Sequence, residues 1–259
     1  MPSATVAGFN LTPVKSTALH RPDAIDLRPE GAVGDRRFVF AREDGTRLHG
    51  ISKAPLMPIV STWDRDRERL HLRFPDGTEV EGDARAGTGD ATEVYLFDRS
   101  VPAHRIDPVF VRVVHAIDPT LSIMRVASPE YGGGTRRASI VSLASVADVG
   151  ARGGDRDLDA RRFRMLIELD GMAPYEEDGW EGGRVRIGDA VLQVGHRVPR
   201  CVMTTLDPDT GTPNADTLGW MAGHRRHDGH VVLGVYGDVL EAGVIRVGDA
   251  VEVLELAAH

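Results

Sequence analysis

The sequence contains a single cysteine, Cys201, within the segment VPRCVMTTLDPDTG at positions 198–211. The positive charge of the neighbouring Arg200 favours the thiolate, which is the form of cysteine that ligates a metal or attacks an electrophile. On composition alone, a lone cysteine is more often a small apolar side chain in the core, because free cysteine is among the most buried residue types. The segment therefore predicts either a reactive thiolate or a structural residue.

A first basic segment could bind a phosphate. PVKS (13–16) supplies Lys15 and Ser16, and GDRRF (34–38) supplies Arg37 further along the chain. Converging from two strands, arginine would bind a phosphate with its bidentate fork and lysine would act as a point charge. The alternative is a solvated surface on which these cations pair with neighbouring acids.

A second basic segment, ARRFR, ends in Arg162, Phe163 and Arg164 ahead of an apolar run. Arginines inside a strand are unusual unless an anion receives them. Strand alternation predicts Arg162 and Arg164 on one face and Phe163 on the other. A plain surface position remains the alternative for both arginines.

A histidine-rich segment, HRRHDGH (224–230), spaces its histidines at i, i+3 and i+6, which could ligate zinc. Asp228 and Gly229 mark a loop, however, and a solvated basic loop is the favoured interpretation. Phosphate-binding glycine loops, dinucleotide fingerprints, the zinc-protease motif and the serine-hydrolase elbow are missing from the sequence. Common nucleotide, zinc-protease and serine-hydrolase functions therefore lack support.

The composition bounds the class of protein. The formal net charge of −8 argues against sequence-independent nucleic-acid binding, which needs clustered lysine and arginine. One cysteine excludes an internal disulfide and predicts a reducing compartment, the cytosol. The start of the sequence resembles no signal peptide, and no apolar stretch is long enough to cross a membrane. We therefore expect a cytoplasmic protein with no nucleic-acid or membrane partner.

Most predicted elements are short strands separated by turns. Pro-Asp-Gly at 75–77 predicts a hairpin between the runs 70–74 and 78–82. Residues 138–149 predict a strand that runs into a helix capped by Ser142 or Ser145. Further predicted strands are 5–9, 36–41, 93–97, 109–115 and 162–169, with loops at 132–137 and 174–180.

One sequence pattern occurs twice. RVRIGDAVLQV (184–194) and VIRVGDAVEVL (244–254) share arginine, apolar residues and Gly-Asp-Ala-Val at an offset of sixty residues. Each copy predicts a strand, a Gly-Asp turn and a second strand, which together form a hairpin. We expect these two hairpins to close one β-barrel, with the stretch from Cys201 to Gly243 lining the site.

Taken together, these segments resemble the MOSC family, which is named for the C-terminal domain of molybdenum cofactor sulfurase. The resemblance implies a mostly β fold with a few helices: a smaller N-terminal β-barrel at residues 1–115 and a β-barrel MOSC domain at 116–259. The matching stretches keep the family order over nearly the whole chain and are PVKS, GDRRF, SLAS (142–145), RFR, the acidic loop into Trp180, IGD (187–189), PRCVMTTLDPDTG, LGVY (233–236) and RVGDAVEVL.

The resemblance also implies a cofactor site between the two barrels. Cys201 would supply a thiolate to molybdenum, and the dithiolene of a molybdopterin cofactor would supply two more sulfurs. Arg200 would lie next to this thiolate and steady it together with the metal. The pterin phosphate would be held by the remaining basic and hydroxyl side chains, namely Lys15, Ser16, Arg37, Arg162 and Arg164.

The implied activity is the reduction of N- or S-oxygenated small molecules by a molybdenum enzyme that uses a separate electron-donor protein. One alternative is a sulfur-transfer protein with a persulfide on Cys201. Others are a non-catalytic cofactor carrier and a purely structural double barrel. The sequence departs from the family where Leu166 replaces an asparagine and where ISKAPL (51–56) lacks two polar residues, and it has no four-cysteine iron–sulfur module.

Overall fold

The computed structural model describes residues 4–42, 44, 48, 50–87, 91–96, 99–126 and 137–257. Over these ranges the chain is built mainly from strands with a few short helices, which confirms the predicted mostly β fold class. The helices are α1 (Val109–Val114), α2 (Leu143–Gly153) and α3 (Thr217–Ala222), with 3-10 helices at Gly50–Leu56, Ala160–Phe163, Glu176–Trp180 and Val202–Thr205.

The strands divide into two groups along the chain. Those of the first half are β1 (Thr5–Phe9), β2 (Ala24–Arg28), β3 (Gly31–Ala32), β4 (Phe38–Arg42), β5 (Val60–Asp64), β6 (Arg69–Arg73), β7 (Glu79–Asp83), β8 (Thr92–Leu96), β9 (Arg99–Arg105) and β10 (Leu121–Val126). Those of the second half are β11 (Ala138–Ser142), β12 (Ile167–Asp170), β13 (Arg184–Ile187), β14 (Ala190–Pro199), β15 (Arg226–His227), β16 (His230–Glu241), β17 (Gly243–Arg246) and β18 (Val251–Glu255).

The large sheet has the strand order β1-β12-β11-β16-β14-β13-β18, with β15 paired to β16. A bridge between Thr5 and Ala250 brings the two ends of this order together, so that the sheet curls round on itself. Its inner face is apolar and contains Ile140, Ile167, Leu192 and Val235, all fully buried. The curled sheet therefore encloses a core of its own.

Two smaller sheets, β4-β10-β9-β8 and β5-β6-β7, enclose a second core. Phe38, Phe40, Leu70 and Leu72 belong to that core and are buried. The predicted hairpin around Pro-Asp-Gly is confirmed as β6 and β7, with Leu72 opposite Val80. Buried residues alternate with less buried ones along β6, and this alternation is why the strand could be predicted from the sequence.

Strands from both sides of the predicted domain boundary at residue 115 pair with each other. The boundary itself stays a prediction. β1 pairs with β12 and β2 pairs with β17, so the start of the chain extends sheets of the second half. β10 lies beyond that boundary and pairs with β4 and β9 of the first half. The site region is therefore built from both parts of the chain.

The predicted strand-to-helix segment at 138–149 is confirmed as β11 and α2. Ser142 caps the helix, because its hydroxyl accepts a hydrogen bond from the backbone N–H of Ala144 at 3.2 Å. The Glu177 carboxylate lies buried beside this helix start and accepts from the Ser142 N–H and the Ser145 hydroxyl at 3.2 and 2.8 Å. Burial raises the pKa of Glu177.

The predicted strand at 109–115 is wrong, because this segment is the helix α1. Its valines favour a strand by propensity, but Phe110 and Val114 are four residues apart and both are buried in the smaller core. The Asp107 carboxylate accepts from the Val109 N–H at 2.9 Å and helps to start the helix. Tertiary packing therefore overrides the local preference.

Two further predictions need correction. Residues 162–169 are not one strand, because the 3-10 helix ends at Phe163 and β12 begins only at Ile167. The first copy of the repeated pattern is the predicted hairpin of β13 and β14, but the second copy is not a hairpin. Instead β17 pairs with β2 and β18 pairs with β13. The predicted loop at 132–137 lies outside the described residues except for Arg137.

Candidate functional site

A cleft of about 180 Å³ separates the first half of the chain from the large sheet, with Cys201 in its lining. All predicted site residues except Arg37 lie around this cleft. Its lining comprises Lys15, Ser16, Arg36 and Lys53 from the first half, and Ser139, Arg162, Phe163, Arg164, Met165, Val198, Pro199, Arg200, Cys201, Met203, Thr204 and Tyr236 from the second.

Cys201 lies two residues after the end of β14 and occupies the N-cap position of the 3-10 helix at 202–205. Its carbonyl oxygen accepts hydrogen bonds from the backbone N–H and the hydroxyl of Thr204, both at 3.1 Å. The Thr204 hydroxyl also lies 2.7 Å from that of Thr217 on α3. These bonds fix the turn, while the cysteine itself stays exposed. Exposure excludes the alternative that Cys201 is a buried core residue.

The guanidinium of Arg200 contacts Phe163 and Met165. Its Nη2 donates to the carbonyl of Phe163, its Nη1 lies 3.2 Å from the sulfur of Met165, and its Cζ lies 5.6 Å from the Phe163 ring centroid. Burial lowers the pKa of Arg200. The buried Nε has no hydrogen-bond partner among the described residues.

Arg162 and Arg164 reach the cleft for a different reason from the predicted strand alternation. Arg164 is the C-cap residue of the 3-10 helix and has the left-handed conformation, with φ of 52°. This conformation changes the direction of the chain between the 3-10 helix and β12. Arg162 Nη1 donates to the carbonyl of Leu206 and Arg164 Nη2 to that of Thr17, both at 2.7 Å. The buried Arg162 Nε and Arg164 Nη1 have no partner within the described ranges.

Arg36 lies beside Arg164 and brings a further positive charge. Its Nη1 forms an ion pair with buried Asp35, and its Nη2 donates to the carbonyl of Arg164 at 3.0 Å. Burial raises the pKa of Asp35 against the opposing effect of Arg36. Burial, reinforced by the charge of Arg36, lowers the pKa of Arg164 to about 9. The lining of the cleft therefore carries a net positive charge, because it contains lysines and arginines but no acidic residue.

Arg37 is not part of this cleft. Arg36 has a positive φ of 47°, and β4 begins at Phe38, so the two consecutive arginines serve different surfaces. Arg37 lines a separate cleft together with Trp63, Glu68 and Arg125. The predicted segment GDRRF therefore contributes Arg36, and not Arg37, to the lining of the Cys201 cleft.

Ten of the sixteen lining residues were not among the predicted site residues, and they include Arg36, Lys53, Ser139 and Tyr236. Lys53 belongs to the segment ISKAPL (51–56), which lacks two polar residues of the family pattern. Ser139 and Tyr236 are opposite each other in the β11–β16 pairing, which the sequence alone does not reveal. The replaced family position, Leu166, is fully buried in the large core and is not part of the lining.

The unsatisfied arginine groups indicate the kind of ligand that the cleft fits. Buried N–H groups are normally hydrogen-bonded, and leaving one unpaired is costly, more so on a charged side chain. Three arginines sharing one cleft with such groups fit an anion with several oxygens, such as a phosphate. Ser16, Arg36 and Arg164 also adopt positive φ, a strained conformation that concentrates at functional sites.

The donor set fits a metal only if other ligands accompany it. Over the described part of the chain, no group of three or more histidine, cysteine or acidic side chains could hold a metal ion. Cys201 offers one soft thiolate, which suits a thiophilic metal. The remaining coordination positions would have to be filled by ligands that these residues do not supply.

The histidine segment 224–230 is a hairpin, and within it no three histidine, cysteine or acidic side chains are grouped so as to hold a metal ion. His227 pairs with His230 across a turn formed by Asp228 and Gly229, both with positive φ. His224 lies 3.2 Å from the Tyr175 hydroxyl. Burial lowers the pKa of His224, and these contacts give it a structural role.

Fold and site together define a class: a protein of two curled β-sheet units with an exposed thiol beside an arginine-rich cleft. The MOSC domain model matches residues 128–252, and the MOSC N-terminal beta barrel domain model matches residues 3–109. The chain therefore belongs to the MOSC family, in the form that carries the N-terminal barrel.

Relatives extend over nearly the whole chain. Mitochondrial amidoxime-reducing component 1 of Homo sapiens is 33% identical, covering 96% of this chain and 83% of that protein. Mitochondrial amidoxime reducing component 2 of Bos taurus is 25% identical, covering 95% and 82%. Molybdenum cofactor sulfurase of Oryza sativa subsp. japonica is 31% identical, covering 39% of this chain and 14% of that protein.

The YuaD protein from Bacillus subtilis has a similar fold, with a TM-score of 0.51 and 16% identity over 99% of this chain and 97% of that one. This likeness concerns the fold alone.

Among the described residues, no helix has the length and apolar character needed to cross a membrane.

Proposed function

We propose that this protein binds a molybdenum cofactor of the molybdopterin form in the cleft, with Cys201 as the protein ligand to the metal. The supporting observation is one exposed cysteine in a cleft where Arg162, Arg164 and Arg200 each leave a buried N–H unpaired. A metal that is bound to a phosphate-bearing organic cofactor needs a thiolate ligand for the metal and a group of cationic side chains, the anion clamp, for the phosphate.

The side chains divide into two roles in this proposal. Arg200 precedes Cys201 in the chain and lines the same cleft, where its positive charge would compensate the thiolate that ligates the metal. Arg162 and Arg164 hold the cofactor phosphate from the second half of the chain. Arg36 takes the part that the sequence assigned to Arg37, and Lys15, Ser16 and Lys53 complete the clamp from the first half.

The proposed reaction is the reduction of an N- or S-oxygenated small molecule. When bound, the cofactor would supply two-electron chemistry that removes the oxygen atom from the substrate. The protein binds and orients both partners and compensates their charge. Electrons would come from a separate donor protein. The names of the relatives, which refer to amidoxime reduction, motivate this substrate class.

The first experiment measures molybdenum per chain after expression in a host that makes the cofactor. We expect near-stoichiometric molybdenum in the wild type and at least a tenfold loss in Cys201→Ser, because no other described cysteine, histidine or acidic cluster can hold the metal. Arg69→Gln, at an exposed ion pair with Glu81, is the control and should retain the wild-type level. Circular dichroism checks that each variant folds.

Equal molybdenum in wild type and Cys201→Ser would contradict the assignment of the ligand. Loaded protein that reduces no N-hydroxylated or S-oxygenated compound with an artificial electron donor would contradict the reductase. The exposed thiol favours a second function, in which Cys201 attacks a persulfide donor, takes its outer sulfur and releases the donor thiol. A wild type without molybdenum that gains one sulfur on Cys201 by mass spectrometry would support that alternative.

A further inference from the structure

A second cleft, of about 440 Å³, lies on the first half of the chain and does not include Cys201. Its inner wall contains Arg37, Trp63, Glu68 and Arg125, none of which lines the Cys201 cleft. A volume of this size falls in the range of small-molecule sites. The charges of the inner wall indicate what such a molecule would carry.

Glu68 is fully engaged by its neighbours. Arg125 donates to both of its carboxylate oxygens, at 2.8 and 3.1 Å, and the indole N–H of Trp63 lies 3.2 Å from one of them. Arg125 also donates to the carbonyl of Ala84 at 3.0 Å and lies 5.3 Å from the Trp63 ring centroid. This one acid and this one arginine therefore compensate each other.

Arg37 is left as an additional cation. Its guanidinium is half-buried and makes no hydrogen bond or ion pair to any residue that the structure describes. Burial and the like charge of Arg125 lower its pKa, while Glu68 acts weakly in the opposite sense. A desolvated cation beside a second cation attracts an anion.

The remaining charges of this cleft do not replace such an anion. Asp35 is buried and paired with Arg36. Glu30 and Asp66 are exposed at the rim, where water screens them. Arg28 pairs with Asp26 at 2.7 Å and adds only a solvated charge. Arg65 is a further exposed cation of the lining, with its Cζ 5.8 Å from the Trp63 ring centroid.

We propose that this cleft is a second ligand site, in which Arg37 binds the carboxylate or phosphate group of a small molecule whose apolar part packs beside Trp63. Its residues are separate from those that would hold the molybdenum cofactor, so the proposal stands independently of the proposed function. The fold does not explain Arg37 as a structural residue, because the ion pair in this wall is made by Arg125.

The test follows the indole N–H signal of Trp63 by NMR while inorganic phosphate or benzoate is added to the full-length protein. The chain has three tryptophans, and Trp63→Phe identifies which signal belongs to the cleft. This signal separates binding at Arg37 from phosphate binding near Cys201. We expect a saturable shift with at least one probe, and about tenfold weaker affinity in Arg37→Gln. Phosphate and benzoate then distinguish the two oxyanion classes.

Thermal melting in anion-poor buffer provides the second readout. Arg37→Gln should melt at the same temperature as the wild type or higher, since it removes a desolvated and unpaired charge. Arg125→Gln is the matched comparison and should melt lower, because it removes the ion-pair partner of the partly buried Glu68. No saturable shift of the Trp63 signal, an affinity unchanged by Arg37→Gln, or a loss of stability like that of Arg125→Gln would overturn the proposal.

Discussion

Arg164 shows how the cleft holds charge at a cost to the folded protein. Its guanidinium is enclosed beside Arg36, one of its N–H groups has no described partner, and burial lowers its pKa to about 9. A lowered pKa means that the protonated form is less favourable in the folded than in the unfolded chain. An anion in the cleft would relieve this cost, so stability and ligand binding are coupled at this residue.

We therefore expect the cofactor-free protein to be more stable at pH 7 when Arg164 is replaced by Met. The folded pKa lies near 9 and the unfolded chain keeps the higher ordinary value of arginine, so above pH 9 the unfolded chain binds more protons than the folded one. Wild-type stability should then rise as the pH increases through about 9, and the advantage of Arg164→Met should shrink. Urea unfolding of both proteins from pH 7 to 10 measures the difference.

Arg164→Lys is the control, since it keeps a cation on a shorter donor. A wild type and Arg164→Met whose difference in unfolding free energy stays constant across this pH range would contradict the argument. Molybdenum retention gives an independent readout, because the more stable Met variant should bind less cofactor. This opposite movement of stability and binding separates a ligand-binding arginine from a structural one.

At the level of elements, the sequence predicted what local patterns control. The alternation in β6 and the cap residue Ser142 each determine their own element, so both were predictable. α1 and the second copy of the repeated pattern were not, because Phe110 and β17 are placed by partners distant in the sequence. The same distinction applies to the site. Cys201 could be proposed as a site residue from its own segment, whereas the position of Tyr236 follows from the pairing of β11 with β16.

The turn at 207–211 links the Cys201 segment to the first half of the chain. Asp209 receives a bidentate ion pair from Arg161 at 2.7 and 2.8 Å. Gly211 has a φ of 74°, and a Cβ there would overlap the carbonyl oxygen of Ala54. Ala54 is in the same 3-10 helix as Lys53, so this close approach helps to set the position of Lys53 across the cleft.

Replacing Gly211 with Ala should therefore destabilise the protein more than the left-handed conformation alone requires. Gly77→Ala is the matched control, because Gly77 has a φ of 85° and open space around it. We expect Gly77→Ala to cost about 1 kcal/mol of unfolding free energy and Gly211→Ala about 3 kcal/mol. Equal values in urea unfolding would show that the contact with Ala54 adjusts freely.

For the whole molecule, the two parts of the chain are interlocked. Val6, Phe9, Ile25 and Leu27 come from the first 30 residues, yet all four belong to the core of the large sheet. Each buried side chain of this kind stabilises a fold by about 1.5–3 kcal/mol. Their sum is comparable with the entire stability of a typical domain, about 5–15 kcal/mol.

A fragment of residues 116–257 should consequently fail to fold by itself. We expect it to bind a hydrophobic dye and to show no cooperative melting, whereas the full chain melts cooperatively. Supplying residues 4–35 through a flexible linker should restore cooperativity, because β1 and β2 regain their partners β12 and β17. A 116–257 fragment that melts cooperatively within a few degrees of the full chain would contradict this interlocking.

The exposed position of Cys201 makes the cleft measurable by simple chemistry. A thiol-selective alkylating reagent can modify at most one thiol in each chain, because the sequence contains no other cysteine. Any molecule that caps this sulfur would slow the labelling, and the intact-mass spectrum would then show a labelled and an unlabelled population. The ratio of those two peaks would count filled and empty molecules directly in a crude preparation, before any substrate is known.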